Sequence, residues 1–330
     1  MKKPLLFLGG TLALGGAGLF AVNEMLYRAL IYKDFKIPSG VDKLMTGGAE
    51  KPSNKDKLHR KSRLCLEDYG YERHFIVNER GHKLTAYCVK PKKESKVYVF
   101  CSHGYRYEGR SEWCWYLKHY VEELGFNMFI IDHQCSGESE GEYIGFGSFE
   151  SKDGLKWLSY MNEAFGSDID IILHGISMGS ATVMLMTGSE SLPENVHFTI
   201  ADCGFTSALD EFKYKLRSWG VPEKPVVPLI CATNKRRAGY DFQADTDALE
   251  AVSRAKIPIL FVHGGADKFV PTYMVHQLFD ACSAPYKDKL VVEGAAHAES
   301  YYFGKEAYER KIDEFIEIMN YELRVASLRL

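Results

Sequence analysis

Ser177 stands in the pentapeptide Gly175-Ile176-Ser177-Met178-Gly179, behind an apolar, strand-like run that ends at His174 and ahead of the helix-like segment SATVMLM. A strand that turns straight into a helix lifts one side chain clear of the backbone, and the turn is so sharp that the positions two residues to either side must be small. A hydroxyl held there is a candidate nucleophile, but a weak one until an imidazole takes its proton and a carboxylate fixes the tautomer of that imidazole. Downstream, ILFVHGGADKFVP places Asp267 just past a strand-like run, and LVVEGAAHAES places His297 in a small-residue loop after the final one. Asp202, at the end of HFTIAD, also follows a strand-like run and is the alternative acid. Nucleophilic acyl transfer further needs hydrogen-bond donors for an oxyanion. The backbone N–H of Met178 is one candidate, and that of Tyr105 in SHGYRYEGR is the other, with His103 and Gly104 shaping its turn. The side chains of Tyr105 and Arg106 either line the substrate entrance or face solvent.

These residues need a scaffold that ends several strands on one edge. HFIVNERGHKLTAYCV reads as two strands about a Glu79–Gly81 turn, and KVYVFCSHG as a continuous apolar strand covered on both faces. Trp113, Tyr116, Leu117, Tyr120, Val121 and Leu124 recur with helical spacing before Gly125. NMFIID, DIIL, HFTIAD, Ile257–Val262 and Lys289–Val292 are further strands, and helices fit Phe149–Ala164 and the amphipathic stretch from Tyr308 to Leu323. Strands alternating with helices predict an α/β domain with a mostly parallel sheet covered by helices on both faces. The long stretch between Asp202 and Ile257, with Trp219, Pro222, Pro225 and Pro228, exceeds an ordinary connection and reads as an inserted cap over about 206–245.

The chain has 330 residues and a net charge of -3, which argues against nucleic-acid binding and favours a small-molecule substrate. Pro4–Val22 carries no charge and follows Lys2 and Lys3. That predicts a membrane anchor over 1–33, with a cleaved signal peptide as its competitor, then a basic linker over 34–63 and the catalytic domain over 64–330. Gly9, Ala13 and Ala17 share a helical stripe, as small residues in membrane segments do. Basic residues flank both ends of the run, so orientation stays open, and the reading taken is a cell-membrane location with the catalytic domain outside. The eight cysteines are scattered without metal-binding or disulfide spacing. No metal site or cofactor is indicated, His174 and His263 read as structural, and nothing bears on oligomeric state.

With SHGYRYEGR, IDHQCSGESEGE, LHGISMGSAT, IADCGFTS, IPILFVHGGADKFVP and GAAHAES in order, the sequence resembles the α/β-hydrolase superfamily, specifically its bacterial serine-aminopeptidase-like and lysophospholipase-like branch. The resemblance spans about 64–321. It implies a sheet of about eight strands, a triad of Ser177, His297 and Asp267, and no cofactor. IDHQCSGESEGE departs from the commoner pattern at His133, Cys135 and Ser136, which leaves substrate preference open. The leading expectation is a membrane-anchored serine hydrolase of acyl or lipid-like carboxylic esters. The alternatives are amide or peptide cleavage, with Glu138, Glu140 or Glu142 receiving a substrate amine, an acyltransferase using the same residues, and a non-catalytic binding module.

Overall fold

The computed structural model describes residues 16–33 and 65–327. The hairpin comes first in the sheet: β1 (Glu72–Val77) and β2 (Lys83–Val89) pair antiparallel, Glu72 opposite Cys88 and Val77 opposite Lys83. Its turn is closed by the Asn78 side-chain oxygen, which accepts from the N–H groups of Arg80 at 3.1 Å and His82 at 2.9 Å. Gly81 takes a φ of 80°, a left-handed conformation that suits glycine.

The remaining strands are β3 (Val97–Ser102), β4 (Asn127–Ile131), β5 (Asp170–Ile176), β6 (Val196–Asp202), β7 (Ile259–Gly264) and β8 (Lys287–Val292). Together they form one eight-stranded sheet in the order β1-β2-β4-β3-β5-β6-β7-β8, antiparallel at β1, β2 and β4 and parallel from β4 onward. Every residue of β4 and of β7 is buried, as continuous apolar strands covered on both faces must be. The chain leaves β3 to build β4 on one side and returns to build β5 on the other. At such a reversal the carboxyl ends of neighbouring strands diverge and leave a crevice for a ligand.

The helices in chain order are α1 (Gly16–Ile31), α2 (Cys65–Tyr69), α3 (Gly109–Glu112), α4 (Ser148–Phe165), α5 (Met178–Thr187), α6 (Ala208–Ser218), α7 (Glu223–Arg237), α8 (Ala248–Ser253), α9 (Tyr273–Ala281), α10 (Ser300–Phe303) and α11 (Lys305–Ser327). Trp157, Leu158 and Met161 of α4 pack with Val183 of α5 on Phe100, Phe129 and Leu173 of the sheet. Tyr308, Ile312 and Phe315 of α11 join Val99, Ile130 and Ile200 in a second core.

Two expectations are corrected here. The regular helix read over Trp113–Leu124 is instead a tight 3-10 turn at Trp113–Tyr116 followed by a wide π-helical turn at Lys118–Glu123. The rings of Trp113, Tyr116 and Tyr120 converge on the buried imidazole of His174, with centroids 4.8, 5.3 and 5.9 Å away, and this packing sets the winding. Cys65 and Cys114 form a disulfide, with Cα atoms 5.9 Å apart, that ties α2 to the 3-10 turn. A sequence separation of 49 residues gives such a pair no local spacing signature.

The expected N-terminal anchor falls largely outside the described residues, which begin at Gly16. Among the described residues no helix is long and apolar enough to cross a membrane. The described part of the apolar run opens α1, and α1 continues onto α7: Val22, Leu26, Tyr27, Ala29 and Ile31 are buried in one cluster with Ile230 of α7 and Phe242. Polar contacts fix its register. The Asn23 amide donates to Thr233 Oγ1 at 3.0 Å, and Glu24 pairs with Arg237 at 2.9 Å. A helix carrying these polar residues has a protein partner for each. Residues 1–15, the expected linker over 34–63, residue 64 and residues 328–330 lie outside the described residues.

Candidate active site

The peptide after β5 turns directly into α5 at Ser177, which has φ 58° and ψ -115°. A non-glycine residue pays strain for such a conformation, and the surrounding packing must hold it there. A Cβ on Gly175 would collide with the Gly179 carbonyl, and one on Gly179 would collide with the Ser102 carbonyl at the end of β3. Both glycines are therefore demanded by backbone approach, and the same approach delivers the Ser177 side chain to the edge of the sheet.

Ser177 Oγ lies 2.8 Å from His297 Nε2, and His297 Nδ1 lies 2.7 Å from Asp267 Oδ2. His297 comes from the loop after β8 and Asp267 from the loop after β7, so three strand ends supply three groups. Asp267 is held from behind: its Oδ1 accepts the backbone N–H groups of Phe269 at 2.8 Å and Val270 at 3.0 Å. His263 Nε2 donates to the Val270 carbonyl at 3.0 Å and also approaches Asp267 Oδ2 at 3.3 Å. Burial alone would raise the Asp267 carboxyl, but His297 and His263 outweigh it and hold the group well below the usual carboxylate range. The carboxylate is thus ionised whenever His297 needs a partner for its Nδ1–H.

The loop after β3 runs past the serine. A Cβ on Gly104 would lie 3.4 Å from Ser177 Cβ and 3.5 Å from the Ile176 carbonyl, so the Gly104 backbone passes beside Ser177. The loop is pinned by groups the sequence reading did not single out. Glu112, buried on α3, accepts the Gly104 N–H at 2.5 Å. His103 Nδ1 donates to the Gly104 carbonyl at 2.8 Å while its Nε2 accepts the His133 N–H at 3.0 Å, and His133 Nε2 bonds Ser102 Oγ at 2.9 Å. The departure at His133 therefore braces the turn next to the serine, and burial keeps His133 neutral by lowering its pKa well below the ordinary value.

Beside Ser177, α6 and its flanks, α1 and the β3 loop line a partly open pocket. Its wall is largely aromatic: Tyr105, Phe146, Phe205, Phe212, Trp219, Phe242 and Phe269, with Leu30 contributed by α1. Tyr105 lines it with its ring while its hydroxyl donates to the Leu30 carbonyl at 2.8 Å. Arg106 donates to the carbonyls of Ala29 at 3.0 Å and Tyr32 at 2.8 Å, so both side chains secure the end of α1.

No family model matches the sequence. Among curated proteins, the chain is 28% identical to the uncharacterized protein YqkD of Bacillus subtilis over 74% of this chain and 79% of that one. It is 24% identical to monoglyceride lipase of Mus musculus, over 67% of this chain and 82% of the relative. Among solved structures, the Pyrococcus furiosus esterase Pf2001 superposes with a TM-score of 0.57 at 17% identity, covering 76% of this chain and 92% of the esterase. The strand order, with its reversal beside a serine at a strand-to-helix turn, decides the class. The fold is that of the α/β-hydrolase superfamily.

Within that hydrolase fold, Asp202 is not brought to His297. Its carboxylate accepts from Tyr308 Oη at 3.0 Å, and Tyr308 connects through His174 at 3.0 Å to Tyr120 at 2.9 Å in a buried chain across the sheet. Glu138, Glu140 and Glu142, considered as receivers of a substrate amine, are not among the residues lining the pocket. Glu138 pairs with Arg73 at 3.1 Å, and Glu140 accepts the Lys83 N–H at 2.8 Å. Missed from the sequence were Glu112, Leu30 and the cap residues Glu211 and Lys215. Only the helical spacing of the last two carried a signal, and that spacing is common on solvated helix faces. His119, Glu123 and Glu309 form a separate cluster with ligand-type atoms within 4.8 Å, but His119 also lies 3.1 Å from Asp313, which accounts for it as a network of ion pairs.

Proposed function

We propose that this chain is a serine hydrolase that cleaves carboxylic esters with an apolar acyl part through an acyl-enzyme on Ser177. The observation that carries the reading is the continuous hydrogen-bonded line from Ser177 Oγ through His297 to Asp267 at the floor of an aromatic pocket. Ser177 Oγ attacks the ester carbonyl while His297 Nε2 takes its proton, and Asp267 stabilises the imidazolium that results. The oxygen of the tetrahedral intermediate lies toward the N–H groups of Tyr105 and Met178. Collapse expels the alcohol, which takes the proton from His297. Water then attacks the acyl–Ser177 bond with His297 again as base and releases the acid. The similarity to an esterase and to a lipase supports the ester reading.

The test is labelling of the purified full-length protein by a fluorophosphonate, with turnover of p-nitrophenyl octanoate, beside Ser177→Ala and His297→Ala. Labelling and turnover that vanish with Ser177→Ala are the expected result. A folded parent that neither labels nor turns over the ester overturns the reading.

A further inference from the structure

Two polar side chains in the wall of the aromatic pocket are not used by the hydrolytic chemistry. Glu211 and Lys215 stand one turn apart on α6, and both line the pocket, with side-chain exposures of 12% and 10%. Their closest approach, Lys215 Nζ to Glu211 Oε1, is 3.5 Å, longer than a good charge-assisted hydrogen bond. Neither Glu211 oxygen has a hydrogen-bond partner, although both are closed to bulk water. Lys215 Nζ sits 3.5 Å from the centroid of the Phe269 ring, and that ring is 4.8 Å from the His297 imidazole. The pair thus faces the same space as the reacting groups, one aromatic ring removed from the base.

As a prop for the cap this arrangement is poor. A buried ion pair repays the loss of water only when its remaining lone pairs and protons are filled, and apolar side chains of similar volume would hold the helix as well. Burial raises the Glu211 carboxyl to about 8 in spite of Lys215, and lowers the Lys215 ammonium. Both groups therefore gain from a ligand that completes their hydrogen bonding.

The chemistry of the pair selects that ligand. A substrate ammonium would meet Lys215, and a substrate carboxylate would meet Glu211. A hydroxyl is neutral and offers a donor and an acceptor on one atom, so it can donate to Glu211 and accept from Lys215 together. We propose that Glu211 and Lys215 are specificity-determining residues that bind a hydroxyl of the substrate, and that the substrates are hydroxylated esters, such as monoesters of a polyol with an apolar acyl chain. The assignment rests on the Ser177 hydrolysis reading and names the substrate class of that same site.

The experiment compares kcat/KM of the full chain for 1-monooctanoylglycerol and for propyl octanoate, which shares the acyl chain and the three-carbon alcohol but lacks both hydroxyls. Wild type is expected to prefer the glyceryl ester by at least about tenfold, because a site built to bind a hydroxyl rejects the analogue without it. Glu211→Gln, Lys215→Met and the double variant Glu211→Leu/Lys215→Met should remove most of that preference by lowering kcat/KM for the glyceryl ester several-fold more than for propyl octanoate. Turnover of both esters by wild type without preference, or equal losses on both esters in folded variants, overturns this inference and leaves Ser177 hydrolysis standing. Absence of turnover of either ester by folded wild type overturns the hydrolysis reading and this inference with it.

Discussion

Replacing Asp267 by asparagine separates the two acids considered for the site, and the hydrogen bonds around Asp267 set the size of the effect. Its Oδ1 accepts two backbone N–H groups, from Phe269 and Val270, while its Oδ2 faces His297 Nδ1 at 2.7 Å. An asparagine that keeps its oxygen on the two backbone donors turns its NH2 toward His297 Nδ1. That nitrogen must then accept, the ring proton moves to Nε2, and Nε2 can no longer take the proton of Ser177. The opposite flip restores an acceptor for His297 but sets the NH2 against two buried N–H groups. Leaving those two donors unsatisfied costs about 1–3 kcal/mol each, or about 2–6 kcal/mol together. Either orientation should therefore lower kcat for p-nitrophenyl octanoate by about 30-fold to about 25,000-fold. Asp202→Asn should leave kcat within about threefold, because an amide oxygen can still accept the Tyr308 hydroxyl now bound at 3.0 Å, a neutral hydrogen bond being only modestly weaker. The assay is steady-state turnover at pH 8 with folding checked by circular dichroism. A hundredfold loss in Asp202→Asn beside a near-normal Asp267→Asn would refute the reasoning.

Three other outcomes follow from the same contacts. Gly179→Ala should give little soluble protein or a sharply lowered Tm, since its Cβ collides with the Ser102 carbonyl, and a normal melting curve would show that the β3 end yields. Arg106→Ala removes the bonds to the Ala29 and Tyr32 carbonyls that hold the end of α1. It should weaken the docking of α1 by about 1–3 kcal/mol, speed amide exchange in residues 22–31, and raise KM for octanoyl more than for acetyl esters through Leu30. Unchanged exchange would mean that α1 is held by its apolar face alone. Asp153 is raised by burial from 3.8 to about 7. Between those values the folded state keeps a proton that the unfolded chain has released, so this group lowers stability as pH rises from about 4 to about 7 and adds no further change above. Asp153→Asn should gain on wild type in urea midpoint over that window, and a constant difference between the two would show that Asp153 does not titrate there.

Much of the site could be read in the chain because its constraints are local. Gly175 and Gly179 are required by atoms within a few residues of Ser177 or by the neighbouring strand end, so the elbow appears as a spacing. Asp267 and His297 each follow a strand at a position where a loop must begin, and continuous apolar runs such as NMFII and ILFVHG declare strands covered on both faces. The choice of Asp267 over Asp202 is different in kind. Both follow strands and both are buried, and only the path of the loop after β7 puts one of them 2.7 Å from His297 Nδ1. The turn of 113–123, the pairing of Cys65 with Cys114 and the bracing by Glu112 likewise depend on side chains far apart in sequence.

The N terminus shows the same division most clearly. Hydropathy records how apolar a segment is, and Pro4–Val22 is apolar enough to suggest a bilayer. It does not record what packs against the described helix at its end, Gly16–Ile31. Asn23, Glu24 and Arg28 continue the segment as a helix whose partners, Thr233 and Arg237, are supplied by α7 at a separation of more than 200 residues. By itself, then, the sequence determined the sheet, the elbow and the order of the candidate groups, because short-range sterics and periodicity dictate them. Tertiary structure alone decided which acid meets the imidazole, which helix borders the pocket and which polar pair lines it, because those depend on contacts between segments that no local pattern relates.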